Sequence, residues 1–160
     1  MSLKMTSEAA ARAFFSSPHF AVVGASSDPT KFGHKIFTWY THHNIPATPI
    51  NPSAPSIKAY PPWPELEIKE YATLPNLSAL PHPAETSVSI ITPPKVTMKV
   101  LEEAKKLGIP GVWLQPGTFD DEILSYAMKE FKAAVGGMEV MVARGGVSWW
   151  MGRGLDEQRG

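Results

Sequence analysis

Apolar residues along the chain fall into two alternating patterns. Short apolar or β-branched runs, each bounded by glycine, proline or other turn residues, predict strands at residues 19–25, 47–50, 86–92, 111–114 and 138–142. Apolar positions at helical spacing predict helices within residues 1–18 and at 33–44, 95–107 and 118–131. The first helix is expected to pack Phe14 and Phe15 inward, and the last to begin with a capping box, Thr118-x-x-Asp121.

Strands that alternate with helices require right-handed crossovers and give a parallel sheet covered on both faces. The expected fold is therefore α/β, a doubly wound five-stranded parallel sheet in a three-layer α/β/α arrangement. Counting the predicted strands in chain order, we expect the order 3-2-1-4-5. The length of 160 residues predicts one domain over residues 1–160.

Two segments break the alternation. Residues 46–64 contain seven prolines, too many for a regular element, and residues 53–70 are expected to form an irregular loop. Residues 143–160 hold five of the twelve glycines and the Trp149-Trp150 pair, and predict neither strand nor helix. Because exposed tryptophans are costly in water, this tail is expected to fold back or to be buried in a partner.

Composition and charge exclude several classes of function. Fifteen Lys and Arg against fifteen Asp and Glu give zero net charge, which argues against nucleic acid or an anionic membrane as the main partner. The absence of cysteine removes disulfides, thiolate metal sites and a cysteine nucleophile. The five histidines lack metal-ligand spacing, so no metal is expected. Without an apolar run of the roughly 18 residues of a membrane span, the expected location is cytoplasmic, with the mitochondrial matrix as the lesser alternative.

Candidate ligand-binding residues lie where the predicted strands end. In a doubly wound sheet, ligands bind beyond the carboxyl ends of the strands, near the point where the strand order reverses. The segments after the first four strands are Gly24, Ala25, Ser26 and Ser27; Asn51 and Pro52; Thr92, Pro93 and Pro94; and Gln115, Pro116 and Gly117. The first is followed by a helix start with Lys31, Phe32, Gly33 and His34. Unpaired amides, the helix dipole and a lysine favour a phosphate there. The alternative is that Gly24 only permits a tight turn.

The charge around this helix start narrows the ligand class. The ordinary dinucleotide fingerprint has three close glycines and an acidic residue about 20 positions further on, which binds the ribose hydroxyls. Here residues 29–64 contain no Asp or Glu, and Lys31, Lys35 and Lys58 lie in that stretch. The absent acid disfavours NAD. The lysines favour a ligand with an additional ribose phosphate, which both NADP and coenzyme A carry.

Several longer motifs follow one another between residues 14 and 142. They are Val23-Gly24-Ala25-Ser26 with Pro29, Lys31 and Gly33; Pro49-Ile50-Asn51-Pro52; Tyr71 through Leu74 with Leu77 and Leu80-Pro81; Thr92-Pro93-Pro94; and Val112-Trp113-Leu114-Gln115-Pro116-Gly117. In this combination the chain resembles the small CoA-binding domain proteins, whose fold is shared with the nucleotide-binding domain of the succinyl-CoA synthetase alpha subunit. The resemblance implies a Rossmann-like domain that lays the CoA nucleotide over the four strand-end loops.

Two segments depart from that family's pattern. Family members often end the fifth strand with Asp-Arg-Cys, where this chain has Ala143-Arg144-Gly145 and therefore no thiol. The family usually has an Ile-x-Gly turn before the tyrosine that Tyr71 matches. This chain instead has the longer, proline-rich segment 53–70 with Trp63.

The sequence therefore predicts a non-catalytic protein that binds coenzyme A or a short acyl-CoA. The strand-end hydroxyls and amides do not titrate near neutral pH. His34, the only general-base candidate among them, has no carboxylate within residues 29–64 to orient it. One alternative is an NADPH-dependent oxidoreductase, although no Tyr-x-x-x-Lys motif is present. Another is a regulatory protein that senses a nucleotide and acts on another protein. The expected partners are a small-molecule nucleotide and either a second copy of the chain or a different protein.

Overall fold

The computed structural model describes residues 7–61, 64–136, 140–144 and 147–151. Its elements in chain order are α1 Ser7–Phe15, β1 His19–Val23, α2 Phe32–His42, β2 Thr48–Ile50, β3 Ser56–Ala59, β4 Lys69–Ala72, β5 Thr86–Ile90, α3 Pro94–Lys106, β6 Gly111–Leu114, α4 Asp121–Glu130, β7 Ala133–Gly136, β8 Val140–Arg144 and β9 Val147–Met151. Two 3-10 turns, Leu77–Ala79 and Pro83–Glu85, lie between β4 and β5. The four predicted helices are confirmed, with ends that differ by a few residues.

Five of the strands form one parallel sheet in the order β2-β1-β5-β6-β7. β1 lies between β2 and β5, with Ala21 opposite Thr48 on one side and Val88 on the other. The doubly wound five-stranded parallel sheet is confirmed, but the predicted order 3-2-1-4-5 is wrong. Counted in chain order, the parallel strands follow 2-1-3-4-5, which places the reversal of strand order between β1 and β5.

Pro49 explains why β2 is an edge strand. The carbonyl of Ile50 accepts from the amide of Gly24 on the β1 side, whereas the carbonyl of Pro49 accepts from the amide of Leu74 (3.0 Å) on the outer side. The amide and carbonyl of one strand residue point to the same side, so the missing proton of Pro49 costs no bond with β1. Proline is confined to edge strands and bulges. Pro49 is therefore a sequence signal that the second strand does not lie inside the sheet.

The fifth parallel strand is Ala133–Gly136, so the prediction of a sheet strand at residues 138–142 is wrong. Instead, β8 pairs antiparallel with β9, and the expectation that the tail contains no strand is also wrong. Small residues suit β7 because α4 packs closely on it: a Cβ on Gly136 would lie 2.5 Å from Cδ1 of Leu124. Residues 138–139, 145–146 and 152–160, which belong to the same predictions, lie outside the described residues.

The helices cover both faces of the sheet. On one face, α1 and α2 pack around the buried ring of Trp113, whose centroid lies 5.5 Å from that of Phe14 and 6.0 Å from that of Phe15. The inward packing predicted for the two phenylalanines is confirmed. On the other face, Leu101 of α3 and Ile123 of α4 are buried in a second core cluster with residues of the sheet. Among the described helices, none combines the length and the apolar character needed to cross a membrane.

The proline-rich segment contains regular structure. β3 and β4 pair antiparallel, with Lys58 opposite Glu70, so the prediction of an irregular loop over residues 53–70 is wrong at both strands. The prolines flank the two strands rather than interrupt them, since neither strand contains one. Residues 60–68, of which 62–63 lie outside the described residues, connect the strands, and we refer to the described part as the 60–68 connection.

The start of α4 is capped by Asp120, not by the predicted box of Thr118 and Asp121. Oδ1 of Asp120 accepts from the amide of Ile123 at 2.8 Å. The hydroxyl of Thr118 is used elsewhere, because it donates to the carbonyl of Gln115 at 2.6 Å and so closes the turn after β6. Asp120 therefore has a structural role at this helix start.

Candidate functional site

The loop after β1 packs its backbone against the end of β5. Gly24 has a φ of +94°, which favours glycine. A Cβ here would lie 2.0 Å from the carbonyl oxygen of Ile91, and the amide of Ile91 bonds the carbonyl of Val23 at 2.8 Å. Gly24 is therefore required by a contact within the protein as well as by the turn. Sequence alone could not separate this requirement from a need for ligand access.

Helix α2 begins against the same loop. A Cβ on Gly33 would lie 1.9 Å from the carbonyl oxygen of Gly24. Glycine at this place permits close packing of helix on strand, as the third glycine of a dinucleotide-binding turn does. The two glycines thus belong to one contact that joins helix, loop and sheet.

The first turn of α2 presents unpaired donors. Lys31 occupies the N-cap position without a side-chain hydrogen bond, and the first turn holds no acidic residue. Within the described part of the chain, the backbone amides of Phe32 and Gly33 have no acceptor. Amides at a helix start act together with the helix dipole to attract anions. This turn therefore has the donors that a phosphate needs, and the residues present fit such a group.

Asp28 shapes the loop before α2, a role that the sequence analysis missed. Its carboxylate accepts from the hydroxyl and the amide of Thr30, at 2.7 and 2.9 Å, and its carbonyl accepts from the amide of Lys31 at 3.0 Å. The bonds from the Thr30 hydroxyl and then the Thr30 amide lower the pKa of Asp28. Ser26 adds a further bond, since its Oγ accepts from the Asp28 amide at 3.1 Å. The Asp-Pro-Thr order is typical of an Asx turn and was the available signal.

His34 ties the start of α2 to the loop. The residue is 6% exposed, and its Nδ1 lies 2.9 Å from the carbonyl oxygen of Ser26. A carbonyl only accepts, so Nδ1 carries the proton and donates. This bond leaves Nε2 as the ring nitrogen that can face a ligand.

Two side chains connect this loop to the segments that follow β2. The hydroxyl of Ser27 accepts from the amide of Lys58 at 2.9 Å, which holds β3 against the loop. Nδ2 of Asn51 donates to the carbonyl of Ala25 at 3.0 Å, and its Oδ1 accepts from the amide of Ser53 at 2.8 Å. Asn51 is thus occupied in joining two loops. The bond to Ser27 places the backbone of Lys58 next to the loop that precedes α2.

The segments after β5 and β6 supply the remaining predicted residues. The hydroxyl of Thr92 is paired with that of Thr97 in α3, at 2.7 Å. Several of the predicted residues are exposed at this edge: Pro52, Pro93, Pro94, Pro116 and Gly117. The contacts above join the strand-end segments on both sides of the strand-order reversal. Their role in binding a ligand stays a prediction.

Gln115 has a buried polar side chain. It follows β6 directly, its amide bonds the carbonyl of Ile90 at 3.3 Å, and it is only 1% exposed. Among the described residues, neither Oε1 nor Nε2 has a hydrogen-bond partner. Burial of an unsatisfied amide costs on the order of 1–3 kcal/mol. A ligand group that reached this buried amide with a donor and an acceptor would remove that cost.

A cleft of about 180 Å³ lies beside α2. Residues of α2, of the 60–68 connection and of the loop after β1 line it: His34, Thr38, His42, Tyr60, Glu65, Leu66 and Pro29. The sequence analysis did not predict the cleft, because it depends on the hairpin that folds within the proline-rich segment. Across the described ranges, no group of three or more His, Asp or Glu side chains could hold a metal ion.

Comparison with known proteins identifies a family and a fold. A sequence profile described as "CoA binding domain" matches residues 18–144. A hypothetical protein from Pyrococcus horikoshii OT3 is similar in structure, with 22% identity over 83% of this chain and 85% of that chain and a TM-score of 0.67. A conserved hypothetical protein from Pyrococcus furiosus has 26% identity over 75% of this chain and 93% of that chain, with a TM-score of 0.62. A protein from Thermus thermophilus has 22% identity over 83% and 92%, with a TM-score of 0.64. Comparison with the curated proteins gives no match.

Proposed function

The chain belongs to the CoA-binding domain family, and from this premise we propose that it binds coenzyme A or a short acyl-CoA at the strand-end loops without catalysing a reaction. The backbone amides of Phe32 and Gly33 at the start of α2, which have no acceptor among the described residues, carry the proposal. They would donate to the diphosphate, with the Lys31 ammonium as the neighbouring positive charge. The unpartnered amide of Gln115 would bond the amide groups of the pantetheine arm.

The ribose phosphate of CoA is assigned to the lysines near this turn. Asn51 stands at the end of β2, where NAD-binding folds place an acid for the ribose hydroxyls, and its side chain is already bonded to Ala25 and Ser53. Lys31 precedes α2, and Lys58 is held against the loop by Ser27. This arrangement favours a ribose that carries a phosphate over a ribose with free hydroxyls.

We expect CoA to bind more tightly than dephospho-CoA, by about 1–3 kcal/mol, because the second ligand lacks the phosphate that the lysines would contact. Titration calorimetry with CoA, dephospho-CoA, NADP and NAD measures the difference directly. Equal affinities for the first two ligands, or tighter binding of NAD, would contradict the assignment. NADP bound more tightly than CoA would favour the oxidoreductase alternative.

Lys31→Ala is expected to weaken CoA binding about tenfold, on the order of 1.4 kcal/mol, and to flatten its dependence on salt. The side chain makes no capping bond, so the melting temperature of the free protein should hardly change. Lys129→Ala, at an exposed residue near the end of α4, is the matched control and should leave affinity unchanged. A fall in melting temperature with normal binding would make Lys31 a structural residue.

The absence of catalysis rests on how the candidate groups are bonded. Activation of a serine needs a base that bonds its hydroxyl. The ring of His34 bonds the carbonyl of Ser26, and the hydroxyls of Ser26 and Ser27 accept from backbone amides. Purified protein should therefore leave acetyl-CoA intact. Protein-dependent thiol release that disappears in His34→Ala would overturn this part of the proposal.

A further inference from the structure

The outer strand β7 has a backbone edge that faces away from the parallel sheet. On its inner side β7 pairs with β6, where the amide of Ala133 bonds the carbonyl of Pro110 at 3.1 Å. Successive residues of a strand direct their backbone groups to opposite sides, so the amides and carbonyls of Ala134 and Gly136 point outward. Among the described residues these outward groups have no hydrogen-bond partner, and β8 and β9 form a separate sheet. The edge of β7 can therefore accept another strand.

The residues of β7 do not oppose such pairing. Proteins keep a strand edge single with charged side chains, a proline or a bulge. The four residues of β7 include no charged residue and no proline. Their register with β6 is continuous, so the strand contains no bulge. Ala134 and Gly136 are partly exposed, and their small size leaves room for a second backbone.

Helix α4 adds apolar surface beside this edge. Leu124 lies over the carboxyl end of β7, since a Cβ on Gly136 would be 2.5 Å from its Cδ1. Met128 follows one helical turn later on the same side of α4 and is 38% exposed. Another side of α4 faces α3, where Glu130 bonds Lys105 at 2.7 Å. The exposed methionine therefore lies on the β7 side of the helix.

The charged residues beside the edge are complementary under two-fold symmetry. Asp121 begins α4 three residues before Leu124, on the same side of the helix and near the carboxyl end of β7. Lys132 directly precedes β7 and lies at its amino end. Both are exposed, and neither makes an ion pair within the described part of the chain. Two antiparallel copies of β7 would bring Lys132 of one copy close to Asp121 of the other.

We propose that β7 pairs with β7 of a second copy, antiparallel about a two-fold axis, and joins the two five-stranded sheets into one continuous sheet. Ala134 of each copy exchanges two hydrogen bonds with Gly136 of the other, and the two Val135 residues stand opposite each other between these pairs. The apolar side of α4 is covered across the axis, and the two ion pairs flank it. Such a contact uses the same surface on both copies and closes at a dimer.

Charge reversal tests the two-fold arrangement. Sedimentation equilibrium of the full chain, at a series of protein concentrations, should show a wild-type dimer. Lys132→Asp and Asp121→Lys each place like charges opposite one another at both ends of the contact, so each should raise the dissociation constant at least about tenfold. The double variant restores opposite charges and should recover the wild-type dissociation constant. Lys99→Asp, at an exposed residue of α3, is the matched control and should change nothing.

Ala134→Pro tests the backbone pairing. The amide that it removes points outward, so no bond to β6 is lost, but the proline ring occupies the place of the incoming strand. The variant should be monomeric, with the circular dichroism spectrum of the folded protein. A wild type that is monomeric at every concentration, a folded Ala134→Pro that is still dimeric, or a double charge variant no tighter than the single ones would overturn the proposal. CoA titration of the same preparations tests the proposed function separately.

Discussion

Gly24→Ala is expected to lower the free energy of unfolding by about 4 kcal/mol or more, enough to leave much of the protein unfolded at 37 °C. The residue has a φ of +94°, and its Cβ would lie 2.0 Å from the carbonyl oxygen of Ile91. That oxygen belongs to backbone whose amide bonds Val23, so it cannot move away without loosening the junction of β1 and β5. Urea unfolding followed by circular dichroism measures the loss.

Gly117→Ala is the matched control for that variant. Gly117 also has a positive φ, of +85°, but nothing lies within 4 Å of its Cβ position. Its substitution should lower the free energy of unfolding by about 1–2 kcal/mol, the cost of holding alanine in the left-handed backbone conformation. Equal losses in the two variants would mean that the contact with Ile91 contributes nothing, and that the glycine is needed for the turn alone.

Gln115→Met should move stability and binding in opposite directions. It replaces a buried amide without described partners by an apolar side chain of similar length, so the free energy of unfolding should rise by about 1–3 kcal/mol. The same change removes the donor and acceptor assigned to the pantetheine arm, and CoA affinity should fall at least about tenfold. Urea unfolding and titration calorimetry on one preparation measure both effects.

Thr38→Val is a useful comparison, because it too removes a buried polar atom without described partners. Gln115→Met should weaken the binding of 4′-phosphopantetheine, whereas Thr38 has no assigned role in binding the pantetheine arm. A Gln115→Met variant that is less stable than wild type would show that the amide stabilises the fold. It would contradict the assignment of Gln115 to the pantetheine arm.

The fold class followed from the sequence because each local pattern was consistent with the same architecture. The helical spacing around Trp39 and the apolar run at Val22 were enough to predict alternating helices and strands. Strand order depends on contacts between residues far apart in sequence, and Pro49 is the one local signal against an internal position for β2. The fifth strand was misplaced because its small residues Ala133 and Ala134 are weak strand formers compared with the neighbouring run at Val140.

The candidate site was predictable where it depends on strand ends and not where it depends on packing. Gly24 and Gly33 stand where glycine turns are expected, but only the structure reveals that each makes room for backbone. Asn51 looks like a ligand contact in sequence, whereas its amide joins two loops. The cleft at Thr38 requires a hairpin whose prolines argue against regular structure. Local propensity cannot anticipate a strand pair that fits between prolines.

The edge at β2 also bears on self-association. An exposed parallel strand is a template onto which a strand of another molecule can add, and such addition leads to aggregation. Here the outward carbonyl of Pro49 accepts from Leu74, and the outward amide of Asn51 donates to the carbonyl of Leu74. Pro49 itself offers no donor. An incoming strand would have to displace Leu74 to find partners, so the bonds to Leu74 protect this edge against intermolecular sheet extension.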